Sequence, residues 1–241
     1  TFATFSPVIV YVDSIIEQVD VNFEQNKKVR YDSLWVFADS LFSLRKEESD
    51  ELVCRSNVRI FRDKFSGIAG FAKYFRNKSY GYLLDFPIVW YDSTEFRGDS
   101  ITFSLNNNSL NVVNIVGNGR IYSFSRDDSR YINIIQSDTF WIYFNNNKIS
   151  YLNGKGGAKT SYFLKEETNG GLNLANYVSD SLRIDFFNDE VQNVVWLGNI
   201  YGELIPQSVF SKNIETYIKI PDDFFQNKPK LDYQQRIFLI K

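Results

Sequence analysis

Residues 107–118 read NNSLNVVNIVGN, and residues 188–199 read NDEVQNVVWLGN. The two phrases share a polar start, an alternating apolar run and a closing Gly-Asn pair, and they begin 81 positions apart. Residues 77–87 and 146–156 follow the same plan, each closing on a Pro or a Gly. Polar Asn clusters favour turns, alternation of period two favours strands, and the closing Gly or Pro favours a bend or bulge. The sequence therefore repeats one turn-strand-bend unit.

A second recurrent element consists of a small residue, an Asp, a Ser or Thr and an apolar residue. It places Asp39, Asp99, Asp138 and Asp180 at the starts of predicted strands. The steps from Asp99 to Asp138 and from Asp138 to Asp180 are 39 and 42 residues. A carboxylate that recurs with the repeat is more simply explained by local hydrogen bonding to the backbone than by repeated catalytic sites.

The composition favours a β-sheet protein with a substantial core. The chain has 241 residues, of which 44% are hydrophobic and 17% aromatic, and only 5 are Pro. Apolar residues alternate with period two, and no apolar helical period persists. We predict an all-β fold built from tandem repeats of short antiparallel strands. The repeats are expected over 31–206, residues 1–30 are interpreted as a lead-in that continues a longer repeat array, and 207–241 form a C-terminal extension.

The residue types present exclude several function classes. The chain has no His and a single Cys, Cys54, so it has no Ser-His or Cys-His catalytic pair, no internal disulfide and no ordinary zinc site. Cys54 lies in a strand-like run and is expected to be a buried apolar thiol. A net charge of −2 argues against nucleic-acid binding, and no apolar run reaches the roughly 18 residues of a membrane span. We expect a protein that is not an enzyme and uses no cofactor or metal.

Residues 153–160, NGKGGAKT, are similar to a phosphate-binding glycine-rich loop. The phosphate-binding loop needs a Gly directly before its Lys, whereas Ala158 stands there, and no helical pattern follows. A strand junction bent by glycines is the favoured interpretation.

We therefore expect no nucleotide binding and no hydrolase or transferase activity. Titration calorimetry with ATP should give no heat of binding for the native chain. ATP binding that disappears in Lys159→Ala would contradict this interpretation.

The four tryptophans, Trp35, Trp90, Trp141 and Trp196, fall in four different repeat units. Ordinary core packing is one explanation for them. A wall of apolar side chains that lines a ligand groove is the other, and the sequence leaves both open.

Taken together, these phrases resemble the OstA/LptA family of lipopolysaccharide-transport proteins, particularly the longer OstA-like form of Bacteroidota. The resemblance is carried by SLWVFADSL, FRGDSITF, LNVVNIVGN, VSDSLRIDFF and VQNVVWLGNIYGELIP, and it covers roughly 31–206. It implies an open, V-shaped β-jellyroll with an apolar trough, located in the periplasm and associated with the outer membrane. The implied function is a carrier or bridge for lipopolysaccharide or lipooligosaccharide. The implied partners are LptC-like and LptD-like jellyrolls that pair through edge strands.

Alternation within each strand predicts which side chains face the trough, because only every second residue points to one side of a sheet. The candidate lipid-groove residues are Leu34, Val36, Val58, Ile60, Ile88, Trp90, Phe96, Ile101, Ile121 and Ile142. Two other hypotheses stand beside the carrier. One is a structural subunit of an outer-membrane-associated assembly, and the other is a carbohydrate-binding β-sandwich with aromatic sugar platforms.

Overall fold

Fifteen β-strands make up most of the chain that the computed structural model describes, which is residues 8–19, 26–45, 50–62, 64–107, 109–146, 148–165, 171–188 and 190–229. The strands are β1 Val8–Val19, β2 Asn26–Phe37, β3 Ser40–Arg45, β4 Asp50–Arg62, β5 Phe65–Phe75, β6 Tyr80–Leu84, β7 Ile88–Tyr91, β8 Thr94–Arg97, β9 Ser100–Asn106, β10 Ser109–Phe124, β11 Ile132–Asn145, β12 Lys148–Lys165, β13 Leu172–Phe187, β14 Glu190–Leu197 and β15 Tyr201–Pro206. Within these described ranges, helix is limited to α1, Gln207–Phe210, and two 3₁₀ turns at Arg76–Lys78 and Ile214–Thr216. Every strand pair is antiparallel. The predicted all-β jellyroll is confirmed.

The long strands run through two layers, whereas each short strand belongs to one. One half of β10 pairs with β9 and the other half pairs with β8. In the same way the first half of β13 pairs with β15 and its second half with β14, and the first half of β5 pairs with β7 and its second half with β6. We call the layer that contains β3, β6, β9 and β14 the first layer, and the layer that contains β2, β7, β8 and β15 the second layer. One sheet is thus folded over on itself.

The N-terminal hairpin extends this sheet. Strand β1 pairs with β2 along the whole of β1, from Val8 opposite Phe37 to Val19 opposite Asn26, and the end of β2 pairs with β4. At the other end of the repeats, β15 finishes at Pro206 and α1 begins at Gln207. The division at residues 30 and 206 that the sequence suggests stays a prediction.

The fold line between the layers coincides with the recurrent Asp element. The pairing register shifts at the bend, as between Val116 and Gly119 in β10 and between Lys155 and Ala158 in β12. Each shift is a β-bulge, which adds residues to one strand and bends it. The predicted bends at the Gly residues of the repeated phrase therefore exist, and they turn the strands from one layer to the other.

Four bends hold an Asp carboxylate, that of Asp39, Asp99, Asp138 or Asp180, against a neighbouring strand whose backbone is left-handed. Gly117, Gly156 and Gly198 have φ of +75°, +90° and +88°. The aspartates at the bends accept hydrogen bonds from Asn side chains: Asn57 Nδ2 to Asp39 Oδ2 at 2.7 Å, Asn118 Nδ2 to Asp99 Oδ2 at 3.1 Å, and Asn199 Nδ2 to Asp180 Oδ2 at 3.1 Å. The Asp180 carboxylate also accepts from the backbone N–H of Asn199 at 3.1 Å. The recurring Asp is thus a structural acceptor, although its main partner is an Asn amide rather than the backbone.

One bend lacks its Asn, because Gly157 stands beside Asp138 where the others carry Asn57, Asn118 or Asn199. Gly157 has φ +74°, and a Cβ at this position would meet no atom within 4 Å. Asn is one of the few residues that adopt this left-handed conformation readily. We expect Gly157→Asn to raise the free energy of unfolding by about 1 kcal/mol, measured in urea, through a new amide-carboxylate hydrogen bond and a less flexible unfolded chain.

Two neighbouring substitutions serve as controls. Gly157→Ala has the same space but no amide, so it should lower the free energy of unfolding by about 1 kcal/mol. Gly156→Ala should cost more, because its Cβ would lie 2.7 Å from Asp138 Cβ in addition to the strained φ. Equal stability of Gly157→Asn and Gly157→Ala would contradict the proposed role of the Asn.

Candidate functional site

The space between the layers is lined by two rows of side chains that run across neighbouring strands. The first-layer row is Leu41, Cys54, Ala72, Leu83, Ile101, Ile115, Phe140, Gly154, Leu182 and Trp196. The second-layer row is Val36, Ile60, Gly67, Val89, Phe96, Ile121, Ile135, Thr160 and Tyr177. Most of these side chains belong to one hydrophobic cluster. The interior is therefore apolar from one end of the sheet almost to the other.

Most of the candidate lipid-groove residues lie together in this cluster. Buried members of the cluster are Val36, Val58, Ile60, Phe96, Ile101, Ile121 and Ile142, and the half-buried Leu34 packs against them. Ile88 and Trp90 lie elsewhere. Whether any of these side chains contacts lipid stays a prediction.

Strand β7 has the opposite register from the one expected. Val89 is the buried residue of the interior cluster, and it pairs with Phe96. Trp90 is opposite Glu95 and donates from Nε1 to Glu95 Oε2 at 2.7 Å. Since neighbouring residues of a strand point to opposite faces, Ile88 and Trp90 face away from the interior. Tyr91, the next residue of the strand, packs against the interior cluster.

Trp90 is nevertheless completely buried, because residues 207–229 cross the outer face of the second layer. We call this segment the strap. A second cluster joins the strap to the sheet, and it contains Tyr122, Ile134, Phe163, Leu174, Ile205, Phe210 and Ile218 among its buried members. Both faces of the second layer are therefore apolar.

A buried carboxylate fixes the strap in place. Glu95 is 0% exposed and accepts from Trp90 Nε1, from Arg97 Nε at 2.5 Å and from the backbone N–H of Phe225 at 2.9 Å. Arg97 also donates from Nη1 to Asp223 Oδ1 at 2.9 Å. A buried charge with this many partners is stable only while all of them remain in place.

Because Glu95 holds the strap on the sheet, we expect Glu95→Ala to lower the stability of the protein strongly. Removing this carboxylate leaves two buried N–H donors and the partly buried Arg97 with a lost acceptor, so we expect a loss of about 3–5 kcal/mol in the free energy of unfolding. Limited proteolysis should then cut within 207–229. Asp223→Ala is the control, and because Asp223 is partly exposed it should cost at most about 1 kcal/mol. Equal effects of the two substitutions would contradict this account.

Side-chain contacts join the two layers, and among them the rings of Tyr177 and Trp196 stack with centroids 4.6 Å apart. The rings of Tyr91 and Phe144 meet edge to face with centroids 5.4 Å apart. Trp196 donates from Nε1 to Thr160 Oγ1 at 3.1 Å. On the side away from the bends, which we call the mouth, Arg126 and Glu190 form an exposed ion pair with an N–O distance of 2.7 Å.

An apolar recess opens between the layers near their C-terminal end. It is lined by Ile135, Thr160, Tyr162, Leu164 and Ala175 of the second layer and by Ile184, Val194 and Trp196 of the first layer. Burial raises the pKa of the Tyr162 phenol, and the nearby Asp127 carboxylate raises it further. Leu164 is 42% exposed, so the recess reaches solvent. The lining is apolar and the enclosed volume is only about 20 Å³, so an extended group would enter only if the layers moved apart.

The sheet is open at both ends. Among the described strands, β1 and β3 have a neighbour on one side only, and so do β14 and β15. Apolar side chains are exposed beside β14 and β15, with Leu197 at 52%, Tyr201 at 82% and Leu204 at 54%. Unpaired strand edges of this kind are sites where another β-strand can add.

The tryptophans and the cysteine lie in different parts of the fold. Trp196 faces the interior, whereas Trp90 lies beneath the strap and Trp141 on the outer face of the first layer, so these three do not form one wall. Cys54 is 2% exposed, and burial raises the pKa of its thiol to about 11. The thiol is a core group, as expected.

Comparison with known proteins gives a partial likeness to solved structures. No protein-family model matches the chain, and no curated protein is significantly similar to it, so the resemblance drawn from the sequence phrases stays a prediction. The crystal structure of LptH, the LptA homologous periplasmic component of the lipopolysaccharide transport device of Pseudomonas aeruginosa, superimposes on 58% of this chain and 93% of that chain. The TM-score is 0.45 and the sequence identity 14%. In the part of the chain that the structure describes, no helix is long and apolar enough to cross a membrane.

Proposed function

We propose that this chain is a non-enzymatic carrier or bridge component that shelters the acyl chains of lipopolysaccharide or lipooligosaccharide between its two layers. The observation that supports the proposal is an apolar interior that runs across the folded sheet and opens in a recess beside β14 and β15. Burying an acyl chain is worth about 0.8 kcal/mol per methylene, so a chain of about a dozen carbons offers roughly 10 kcal/mol. Such binding needs no precise polar recognition.

The recess is the natural entry point, because the middle of the interior is filled by its own side chains. Ile101, Ile115, Phe140 and Ile142 are each at most 1% exposed. An acyl chain that moves beyond the recess must therefore part the layers at the mouth. The exposed Arg126–Glu190 pair contributes only about 0–1 kcal/mol to their closure, and contacts with the acyl chain would replace the apolar contacts that separate.

The open ends of the sheet indicate how such a module would join others. Strands β14 and β15 present unpaired edges in both layers, and strand addition there would continue both interior rows into the next jellyroll. We propose LptC-like and LptD-like proteins as partners of this kind, with the assembly in the periplasm and next to the outer membrane.

The filled interior favours a second function, a structural subunit that keeps the fold without carrying lipid. In that case the packed side chains near Phe140 never separate, and the edge strands serve assembly alone. The two functions differ in one observable: whether lipid contacts the inward-facing side chains.

Photo-crosslinking in envelopes of a lipopolysaccharide-producing host tests this difference. A crosslinking amino acid at Val194 or Ile60 should form an adduct with lipopolysaccharide, because both side chains face the interior. The matched controls are the adjacent positions Val195 and Arg59, which point to the opposite face and should give little adduct. The readout is a mass shift detected with an antibody against lipopolysaccharide.

Adducts at Val194 that are as frequent as those at Val195 would contradict interior binding. No adduct at any of the four positions, in a protein that still assembles in the envelope, would establish the structural subunit instead.

A further inference from the structure

The C-terminal end of the interior is crossed by a tryptophan that touches two strands of the opposite layer. Trp196 lies on β14 in the first layer, and its indole N–H donates to Thr160 Oγ1 at 3.1 Å in the second layer. The indole also stacks on the Tyr177 ring, with centroids 4.6 Å apart and an interplanar angle of 29°. Thr160 on β12 and Tyr177 on β13 lie directly opposite each other. One side chain of the first layer is therefore joined to two neighbouring strands of the second layer.

Both partners of Trp196 are held in place by the second layer itself. Thr160 is 4% exposed, and its hydroxyl donates to the backbone carbonyl of Tyr177 at 3.5 Å while it accepts from Trp196. The Tyr177 ring lies over Gly202 of β15, where a Cβ would be only 2.3 Å from Tyr177 Cδ1. The glycine thus leaves the space that the ring occupies in the stack.

These contacts close the apolar recess between the layers. Trp196 and Thr160 lie on its wall beside Val194, and with the indole in place the recess encloses only about 20 Å³. That volume holds about one water molecule, so an acyl chain enters only after the layers separate at this point. Separation breaks a hydrogen bond to a buried hydroxyl and an aromatic stack. Both cost more to break than an exposed ion pair such as Arg126–Glu190.

We propose that Trp196 is a clasp whose contacts with Thr160 and Tyr177 hold the recess closed, so that an acyl chain binds only when they are broken. The proposal rests on the carrier function proposed above. When the binding-competent form is a minor fraction of the molecules, the apparent affinity is lowered by that fraction. Loosening the clasp therefore strengthens acyl-chain binding. A residue that merely lined the recess would have the opposite effect, because its loss would remove contacts with the ligand.

Stopped-flow titration of the whole chain with cis-parinaric acid, a fatty acid that fluoresces in apolar surroundings, tests the clasp. Thr160→Val keeps the shape of the side chain but removes the acceptor of the Trp196 N–H. Association should become about fivefold faster and the Kd about fivefold lower, the factor that corresponds to one hydrogen bond. The dissociation rate should stay the same, because the clasp is already broken in the bound form.

Two other substitutions loosen the clasp in different ways. Trp196→Phe keeps a ring against Tyr177 but has no N–H donor. Tyr177→Leu removes the stack, and because Tyr177 lies outside the recess lining, it removes no contact with a bound chain. Both should lower the Kd by about two- to tenfold. Circular dichroism identifies the folded variants, and if one of the three does not fold, the other two decide the outcome.

Tyr143→Ala is the matched control. Tyr143 stacks on Tyr151 with centroids 4.3 Å apart, but both rings lie on the outer face of the first layer and do not join it to the second. Its loss should leave the association rate unchanged. A Kd that rises or stays the same in the folded clasp variants would overturn the proposal, and so would an equal gain in Tyr143→Ala. Failure of the native chain to bind the fatty acid would instead overturn the carrier function, and the clasp with it.

Discussion

The structure depends on a repeated requirement: a long β-strand must turn sharply from one layer to the other without losing its hydrogen-bonded neighbours. A left-handed residue provides the turn, but it exposes backbone groups and is stable only when something holds it. An Asp carboxylate on the adjacent strand meets this need, because it lies against the left-handed glycine and accepts a hydrogen bond from the following Asn. At Gly117 and Gly198 no side chain could replace the glycine, since a Cβ would lie within 3 Å of Asp99 or Asp180. Strand after strand bends at the same line for this reason.

Because the strands are continuous through the bends, the register in one layer determines the register in the other. The interior rows of both layers are consequently aligned strand by strand, and an apolar passage follows from the folding of the sheet. The bend side is fixed by covalent continuity, whereas the mouth is closed by side-chain contacts alone: the Tyr91–Phe144 ring contact, buried apolar residues such as Leu52, and the exposed Arg126–Glu190 pair. Separation at the mouth is the motion that the proposed carrier requires.

The sequence predicts the strands and the bends because both have local causes. Alternation of apolar residues is a local pattern, and the Gly-Asn and small-Asp-Ser phrases carry the chemistry of the bend itself. Ile60 and Ile101, in strands with clear alternation, lie in the interior cluster, and their contact with lipid stays a prediction. Alternation does not identify the inward-facing residues of strand β7, because IVWY is only four residues long and apolar on both faces. Its second apolar face is explained by the strap, which lies more than 100 residues later in the chain. Glu95 could not be recognised as buried for the same reason, since its partner at Phe225 is non-local.

The two outer faces show that a segment packed on a sheet face determines which residue types that face carries. Where the strap packs, the second layer carries apolar residues and a buried carboxylate on its outer side, so alternation is lost. Where no described segment packs, the first layer keeps strict alternation, and its outer positions combine amides, paired charges and aromatic rings. Trp141 occupies such an outer position and is half-buried there, so its packing against neighbouring side chains of the same face still contributes to the stability of the sheet. An outer aromatic residue therefore needs no covering segment, whereas a fully buried outer residue such as Trp90 does.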